Sequence, residues 1–392
     1  MTTYILTGNK EKCCGCGGCE QICPKNAIEL KADEDGFLYP VLDKDMCVEC
    51  GACKAVCPYD KELSLKEPKK VYAAKTTDTQ SLMKSSSGGM FGAFAEYILA
   101  HDGFVAGCVF DENFKAEHIL SDKAEDVERM RGSKYVQSET GNIFKDVKSE
   151  LERGKAVLFT GTPCQIDGLK GFLKKDYEKL FTVDLICHGV PSPLLLKKYL
   201  ENKEQKGKIS DLKFRNKALN GWGSRGSITQ SINGKEKTSV ITPFNESYYN
   251  MYYLLNTVSR RCCYSCQYAT GKRTGDITIG DYWNASSFMS EKETENGMSA
   301  VLCNTEKGEL LLESVKNSLV LKESTLSHII EGNGNLKAPA KMPTQRETVY
   351  KDLNEYGFEY VVKNYCRFSY LKPFIKKHIP KGIKRGIKKI LE

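Results

Sequence analysis

The sequence predicts a mainly α/β protein with three parts: a small cysteine-rich α+β module, a mixed-sheet α/β core, and a helical C-terminal extension ending in a basic tail. Three observations indicate this fold class. Nine cysteines lie within the first 58 residues. From residue 71 to residue 204, short apolar segments typical of strands alternate with helical periodicity, as expected of a sheet covered by helices. The last thirty residues are strongly basic.

The N-terminal module is defined by a cysteine pattern that occurs twice. The run Cys-x2-Cys-x2-Cys-x3-Cys-Pro begins at Cys13 and again at Cys47. Bacterial two-cluster ferredoxins use this spacing to bind paired [4Fe–4S] clusters, and the fourth cysteine of each run binds the other cluster. Structural zinc sites are the alternative, but they use Cys-x2-Cys pairs rather than triplets with an exchanged ligand. The predicted ligands form a first cluster set, Cys13, Cys16, Cys19 and Cys57, and a second cluster set, Cys47, Cys50, Cys53 and Cys23.

Five segments are expected along the chain. The two-cluster module spans residues 1–58, and a polar, proline-containing linker follows at 59–70. The α/β core divides into residues 71–155 and 156–335. A helical extension with the basic tail occupies 336–392.

The predicted elements follow from local periodicity and turn residues. Cys14 has no place in the ligand scheme and is expected to be a neighbour of the clusters. From 209 to 242 the pattern becomes rich in hairpins, with an Asn233-Gly234 turn. Strands are predicted at 27–31, 71–75, 104–110, 156–160 and 181–186, and helices at 89–100, 142–153, 163–173 and 193–204.

The composition indicates the cellular compartment of the protein and limits the classes of partner it can bind. Seventeen cysteines without a segment resembling a signal peptide point to a reducing cytoplasm. No apolar stretch reaches the roughly 18 residues that span a bilayer. Residues 363–392 carry +9, so the remainder carries −1 of the total charge of +8. A nucleic-acid-binding surface is a patch of positive charge across a folded face. The nearly neutral body of this protein therefore argues against nucleic acid as a partner.

Two loops of the core have the character of ligand-binding segments. Lys84-Ser-Ser-Ser-Gly-Gly89 opens a helix, and a helix N-terminus offers free N–H groups and a dipole to a phosphate. A simple helix cap is the alternative. The segment 275–283, GDITIGDYW, is a strand that ends in Gly-Asp and aromatics, which either stack on a cofactor or fill the core.

Four further cysteines fall in loops where strands meet helices. They lie in GTPCQ, in DLICHGVPS and in RRCCYSC. Four cysteines are sufficient to bind a third [4Fe–4S] cluster. Buried cysteine is the alternative, and it is the interpretation for Cys108 and Cys303, each inside an apolar strand. We call the four loop cysteines the four-thiol set: Cys164, Cys187, Cys263 and Cys266.

Together these motifs resemble the family of coenzyme F420 hydrogenase/dehydrogenase β subunits, over roughly residues 1–330. The segments that carry the resemblance are the two-cluster module and the motifs at 84–94, 132–138, 161–166, 184–192, 260–266 and 275–283. The resemblance implies a flavoprotein-like core that binds FAD, and it implies a third cluster on the four-thiol set. The role of Cys262 is left open. The implied flavin contacts are Ser86, Ser87, Gly88, Gly89, Gly132, Ser133, Lys134, Tyr135, Gly161 and Thr162.

The fused module and C-terminal extension are similar to those of single-chain bacterial members from surface-polysaccharide loci. This implies either F420 or a sugar or polysaccharide precursor, including a lipid-linked one, as substrate. A ferredoxin-like protein is the expected electron donor or acceptor.

Two functions from different classes follow. One is an iron–sulfur and flavin-dependent oxidoreductase, with His188 as the candidate catalytic proton donor because an unperturbed imidazole titrates near neutrality. A structural role for His188 is the alternative. The other function is a non-catalytic electron-transfer subunit that serves a partner enzyme.

The C-terminal tail has the pattern of a short basic amphipathic helix. Ile383, Ile387, Ile390 and Leu391 share one helical face, and lysines and arginines occupy the rest. Such a helix suits an anionic membrane surface, here through residues 371–391 at the inner face of the cell membrane. A solvated tail or a partner-docking helix is the alternative, since Gly382 and Gly386 weaken the helix.

Overall fold

The structure is a computed structural model that describes residue 5, residues 8–366 and residue 368. The predicted membrane-binding tail at 371–391 lies outside the described residues. Within them, no helix is long and apolar enough to cross a membrane. The chain forms an α/β core, as predicted, with a small module at its N-terminal end.

The described elements are as follows. The strands are β1 (Ile28–Ala32), β2 (Leu38–Leu42), β3 (Lys70–Thr76), β4 (Phe104–Phe110), β5 (Ala116–Ser121), β6 (Val157–Gly161), β7 (Leu180–Leu185), β8 (Lys208–Lys213), β9 (Gly226–Ile232), β10 (Lys235–Ile241), β11 (Ile277–Asp281), β12 (Ser299–Cys303) and β13 (Leu319–Glu323). The helices are α1 (Gly18–Ile22), α2 (Ala52–Ala55), α3 (Thr79–Lys84), α4 (Met90–Ala100), α5 (Ala124–Met130), α6 (Ile143–Glu152), α7 (Pro163–Leu173), α8 (Pro193–Glu204), α9 (Lys217–Asn220), α10 (Ser247–Tyr249), α11 (Glu291–Thr294), α12 (Glu306–Val315), α13 (Leu326–Gly332), α14 (Gln345–Tyr356) and α15 (Phe358–Tyr365).

An eight-stranded mixed sheet forms the core, in the order β13-β3-β12-β11-β7-β6-β4-β5. The four strands β4, β6, β7 and β11 are parallel, and antiparallel strands complete both sides. Because parallel strands end at the same edge, the loops after β6, β7 and β11 meet there. Those loops carry three of the motifs that the sequence singled out.

Helices cover both faces of this sheet, because its strands place apolar side chains on alternate sides. Helices α4, α5 and α12 pack over Val105, Leu158 and Val183 in one core. Helices α6 and α7 pack over Ala106 and Phe159 in another. The predicted strand at 104–110 and the predicted helices at 163–173 and 193–204 are confirmed residue for residue as β4, α7 and α8.

A smaller antiparallel sheet, β10-β9-β8, follows α8. The turn between β9 and β10 is the predicted Asn233-Gly234 pair, and both residues have positive φ, 52° and 74°. This is the geometry that favours Asn-Gly in two-residue hairpins. The hairpin-rich interpretation of 209–242 is therefore confirmed.

The N-terminal module is docked into the body of the protein. Its hairpin, β1 paired with β2, buries Phe37 and Tyr39 in the same core as α8, the small sheet and α14. Helix α7 contacts the module at Gly168, where an added Cβ would lie 2.8 Å from the Cys16 Sγ. Only glycine permits this approach of helix and cysteine.

Candidate functional site

A cavity of 540 Å³ opens at the edge of the sheet where β6, β7 and β11 end. Its volume lies in the range of cofactor and ligand sites. One wall is apolar, with Met90, Phe91, Met130, Leu185 and Ile279. We call this space the edge cavity. All the predicted flavin contacts line it except Gly88.

The serine-rich loop before α4 forms one side of the edge cavity. The Ser86 Oγ accepts hydrogen bonds from the Ser133 N–H and hydroxyl, each at 3.0 Å, so the two predicted contact loops are joined. Gly88 packs on the sheet instead, since an added Cβ would lie 2.2 Å from the Ala74 carbonyl oxygen. Gly89 has a φ of +85° and allows the chain to turn into α4.

Two buried cations hold this loop through its carbonyl groups. Arg215 donates to the Ser86 carbonyl and makes a bidentate ion pair with Asp281, at 2.8 and 3.1 Å. The Lys217 ammonium donates to the Ser87 carbonyl at 2.6 Å, and burial lowers the pKa of Lys217 to about 7. The loop is therefore fixed by its carbonyls. The Ser87 hydroxyl, which donates to the Met298 carbonyl, and the Gly88 N–H, which donates to the Ser299 hydroxyl, fix it further.

Lys134 lines the cavity, but its ammonium is engaged elsewhere. It donates to the carbonyls of Arg129, Met130 and Arg131 at the end of α5, at 2.7 to 3.0 Å. Burial lowers the pKa of Lys134 to about 8. This side chain caps a helix, an ordinary use of lysine at a helix C-terminus.

Gly161 and Thr162 form the junction between β6 and α7. The Thr162 hydroxyl and the Gln165 side chain satisfy each other's backbone N–H groups in a capping box. Pro163 takes the first helical position, where its missing N–H is of no consequence. The four-thiol set begins one residue later, at Cys164.

The four thiols of the four-thiol set all line the edge cavity, although they derive from three separate segments of the chain, one of them the first turn of α7. Burial, together with the neighbouring Cys164 and Cys187, raises the pKa of Cys266 to about 12. The pKa of Cys263 is raised by a hydrogen bond to Cys262, by burial and by Cys187 and Cys266. Thiols that share one wall in this way oppose one another's ionisation.

Three residues join the four-thiol set to the N-terminal module. Cys14, Gly15 and Tyr59 line both the edge cavity and a smaller cavity in the module. The Cys14 thiol makes hydrogen bonds with Cys16, of the first cluster set, and with Cys164, of the four-thiol set. Tyr59 hydrogen-bonds to Cys262, which is itself bonded to Cys263. Cys14 thus lies between a member of the first cluster set and a member of the four-thiol set.

The residues that line the smaller cavity show whether the module could hold a cluster. Its lining includes the complete first cluster set, with the remote Cys57 among the local cysteines, as the exchanged-ligand scheme requires. Backbone N–H groups point to the sulfurs, from Gly15 to Cys13 and from Gly18 to Cys16. Similar N–H contacts reach Cys23 and Cys47 of the second cluster set, at 3.3 and 3.4 Å.

In the described part of the chain, no three or more His, Cys, Asp or Glu side chains converge as they would on one metal ion. A cubane requires a wider set, because each thiolate binds a different iron of the cluster. Thiolate donors with N–H contacts therefore fit a [4Fe–4S] cluster.

His188 follows Cys187 in the chain and lines the edge cavity, to which its side chain is exposed. Protein surrounds it on its other sides, and this burial lowers the pKa of His188, while Asp281 acts in the opposite direction. The imidazole is therefore mainly neutral at neutral pH.

The aromatic end of β11 has a role that the sequence left open. Trp283 lines the edge cavity and stacks on Trp222, with ring centroids 5.1 Å apart and planes 11° apart. The Trp222 indole N–H donates to Asp281 at 2.8 Å. These are the only two tryptophans of the sequence, so both report on this site.

Sequence reasoning missed some residues of the site. The interpretation of Cys108 as a buried strand cysteine is wrong, because it is only partly buried and lines the edge cavity, whereas Cys303 is fully buried. His118 lies on the same wall, and its Nε2 is 3.2 Å from the Thr160 carbonyl oxygen. The inward positions of β4 and β5 gave no signal, because alternation does not reveal which face meets a cavity.

The fold and site define an iron–sulfur protein with a ligand cavity at the carboxyl edge of a mixed sheet. Comparison with known families agrees. Residues 12–61 match the 4Fe-4S dicluster domain, residues 71–145 the N-terminal part of the coenzyme F420 hydrogenase/dehydrogenase β subunit, and residues 154–328 its C-terminal part. The chain belongs to the family of coenzyme F420 hydrogenase/dehydrogenase β subunits.

Two curated relatives are similar to this chain. A coenzyme F420-dependent sulfite reductase from Methanocaldococcus jannaschii is 25% identical over 375 residues, covering 90% of this chain and 53% of the relative. A subunit of the F420H2 dehydrogenase from Methanosarcina mazei is 28% identical over 191 residues, covering 45% of this chain and 53% of the relative. The chain therefore spans about half the length of each.

A solved structure of the F420-reducing [NiFe] hydrogenase complex from Methanosarcina barkeri aligns with a TM-score of 0.46 and 17% identity. The alignment covers 77% of this chain and 93% of that one.

Proposed function

We propose that the chain is an iron–sulfur flavoprotein oxidoreductase, which exchanges electrons between a ferredoxin-like protein and a substrate held in the edge cavity. FAD is the proposed cofactor of this cavity. The proposed substrate is the deazaflavin F420, because both curated relatives carry F420 in their names. A sugar or polysaccharide precursor is the second substrate class, from the resemblance to members of surface-polysaccharide loci.

The observation that carries the proposal is the wall shared by the two cavities. Cys14, Gly15 and Tyr59 separate the first cluster set from a cavity of cofactor size, and the four-thiol set lies on that same wall. Clusters bound there would supply single electrons, and a flavin would pair them for transfer as hydride.

The proposed flavin contacts divide into two kinds. The loop ahead of α4 supports a phosphate, because its carbonyls are turned to Arg215 and Lys217 and the N-terminus of an eleven-residue helix follows. The apolar wall of the edge cavity supports a ring system. Gly88 supports the loop from the sheet rather than contacting the cofactor.

His188 is the proposed proton-exchanging residue. It opens onto the edge cavity next to Cys187, and its lowered pKa keeps the ring neutral. A neutral imidazole accepts a proton at one nitrogen and donates from the other, so it exchanges protons with a substrate in either direction of electron flow.

The test is flavin binding and turnover by anaerobically purified protein. Ser133→Tyr places a phenol in the edge cavity, and Ser231→Tyr places the same side chain at an exposed position of β9. We expect the native protein and Ser231→Tyr to bind FAD, with quenching of the tryptophan fluorescence, and to reduce an artificial one-electron dye with reduced F420. Ser133→Tyr is expected to lose both properties. Equal FAD affinity in the two variants would show that the edge cavity is not the flavin site.

An electron-transfer subunit is the second candidate, since one curated relative is itself named as a subunit and the chain spans about half of each. If FAD binds but neither reduced F420 nor sugar-linked compounds react, this candidate is favoured. Turnover by the isolated chain would count against it.

A further inference from the structure

Arg260 is a fully buried arginine at the junction between the module and the sheet domain. Its Nε donates to the Cys13 carbonyl at 2.8 Å, and its Nη2 donates to the Leu38 carbonyl at 2.9 Å. The same Nη2 lies 3.5 Å from the Cys13 Sγ. The guanidinium stacks on the Tyr39 ring, 3.9 Å from its centroid. It is therefore enclosed by the module on several sides.

The other two fully buried arginines are each neutralised by a carboxylate. Arg273 pairs with Asp184 at 2.7 Å, and Arg346 pairs with Asp35 at 3.0 Å. Among the ion pairs of the described residues, none joins Arg260 to an acidic side chain. A buried cation without an anionic partner is costly, because desolvation is not offset by a nearby negative charge.

Arg260 faces two thiols: Cys13, which is a predicted cluster ligand, and Cys262, to which it is hydrogen-bonded. Cys13 belongs to the first cluster set, and its sulfur is a thiolate when metal is bound. A [4Fe–4S] cluster with four thiolates is a net anion whose charge becomes more negative on reduction. The hydrogen bond and the positive charge both stabilise the reduced form more than the oxidised form, which raises a reduction potential.

We propose that Arg260 is the counter-ion of the first cluster and sets its reduction potential above that of the second. Among the described residues, the loop of the second cluster set is exposed at residues 48–51, so water rather than a buried guanidinium meets its charge. This inference rests on the proposed cluster assignment in the module, but neither on FAD nor on the four-thiol set. Arg260 thus makes the inner cluster the favoured position of an electron in the module.

The test is an EPR-monitored redox titration of the holoprotein and its variants. Signals are assigned by their loss in Cys50→Ser, for the second cluster, and in Cys263→Ser/Cys266→Ser, for the four-thiol set. In the native protein we expect the first cluster to be reduced before the second. In Arg260→Gln we expect the midpoint potential of the first cluster to fall relative to that of the second cluster by at least about 59 mV. For one electron, this corresponds to a tenfold change in the equilibrium constant.

Two variants separate charge from structure. Arg260→Lys keeps the charge and is expected to restore most of the potential difference. Gln137→Ala removes a neutral side chain that accepts from both the Leu38 N–H, at 3.1 Å, and Arg260, and it should leave that difference unchanged. An unchanged potential in Arg260→Gln would overturn the proposal. If Arg260→Gln loses iron, the order in which the two clusters of the native protein are reduced tests the proposal instead. Reduction of the second cluster before the first would overturn the proposal.

Discussion

The two halves of the N-terminal module have the same cysteine spacing but opposite surroundings. Residues 15–18 of the first run are buried, with Cys16 and Gly18 against α7, whereas residues 48–51 of the second run are exposed. Met46 and Val48 next to the second run are 49% and 56% exposed. Local sequence therefore determines how each cluster is ligated, and docking onto the sheet domain determines which one faces the interior.

The difference gives the module a direction. The inner half meets Cys14, Tyr59 and the edge cavity, and the outer half meets solvent, where a protein partner has access. We propose that a ferredoxin-like partner docks at the outer half. Changes made separately to each half test the difference between the two.

The largest expected effect is the loss of the cluster proposed on the inner side. Replacing Cys263 and Cys266 with Ser removes two of the four thiolates, so we expect about four irons to be lost per chain while the module keeps its own two clusters. Iron analysis together with EPR of the module measures this. Unchanged iron content would eliminate the four-thiol set as a cluster site.

Low pH should reduce the folding stability of the inner side, because His118 lies there. Burial lowers the pKa of His118 to about 4, from 6.5, so the unfolded chain binds more protons between these values. Stability from this residue is complete above pH 6.5 and is lost as the pH falls towards 4, by about 3 kcal/mol. Denaturant titrations of the native protein and His118→Gln at pH 7 and pH 4.5 test this. The same loss in both proteins would exclude His118 as the cause.

A third experiment separates the inner half from the sheet domain. In Gly168→Ala the new Cβ meets Cys16 at 2.8 Å, so we expect a loss of about 2 kcal/mol in unfolding free energy, with the first cluster damaged before the second. Gly334→Ala is the control, since an added Cβ there meets nothing within 4 Å. Thermal unfolding and EPR of each cluster give the result. Equal behaviour of the two variants would contradict the contact.

Exposure should also govern access to the iron. A water-soluble chelator is expected to remove iron from the second cluster about tenfold faster than from the first, a difference of ~1.4 kcal/mol in local opening. The time course of the two EPR signals measures this. Loss of the first cluster before the second would reverse the inner and outer assignment.

The smallest effect concerns the tail at 371–391, which lies outside the described residues. We expect the full chain to float with anionic liposomes at low salt but less at high salt, and a chain ending at Tyr370 to remain unbound. Neutral liposomes are the control. Equal flotation of the two chains would exclude the tail as a membrane contact.

Local patterns predicted much of this fold, because β4, α7, α8 and the Asn233-Gly234 turn depend on residues close together in the chain. The cysteine runs were equally informative, since their ligands lie within 45 residues of one another. Contacts between distant segments gave little signal. Tyr59, placed in a linker by its polar surroundings, lies between two cavities, and the burial of Arg260 requires a hairpin more than 200 residues away.

The most direct test of the central claim is the iron and flavin content of the anaerobically reconstituted native chain. If the four-thiol set binds a cluster beside a flavin in the edge cavity, each chain will contain about twelve irons and one FAD. About eight irons and no flavin under any reconstitution condition would contradict it, and would leave only the two clusters of the N-terminal module.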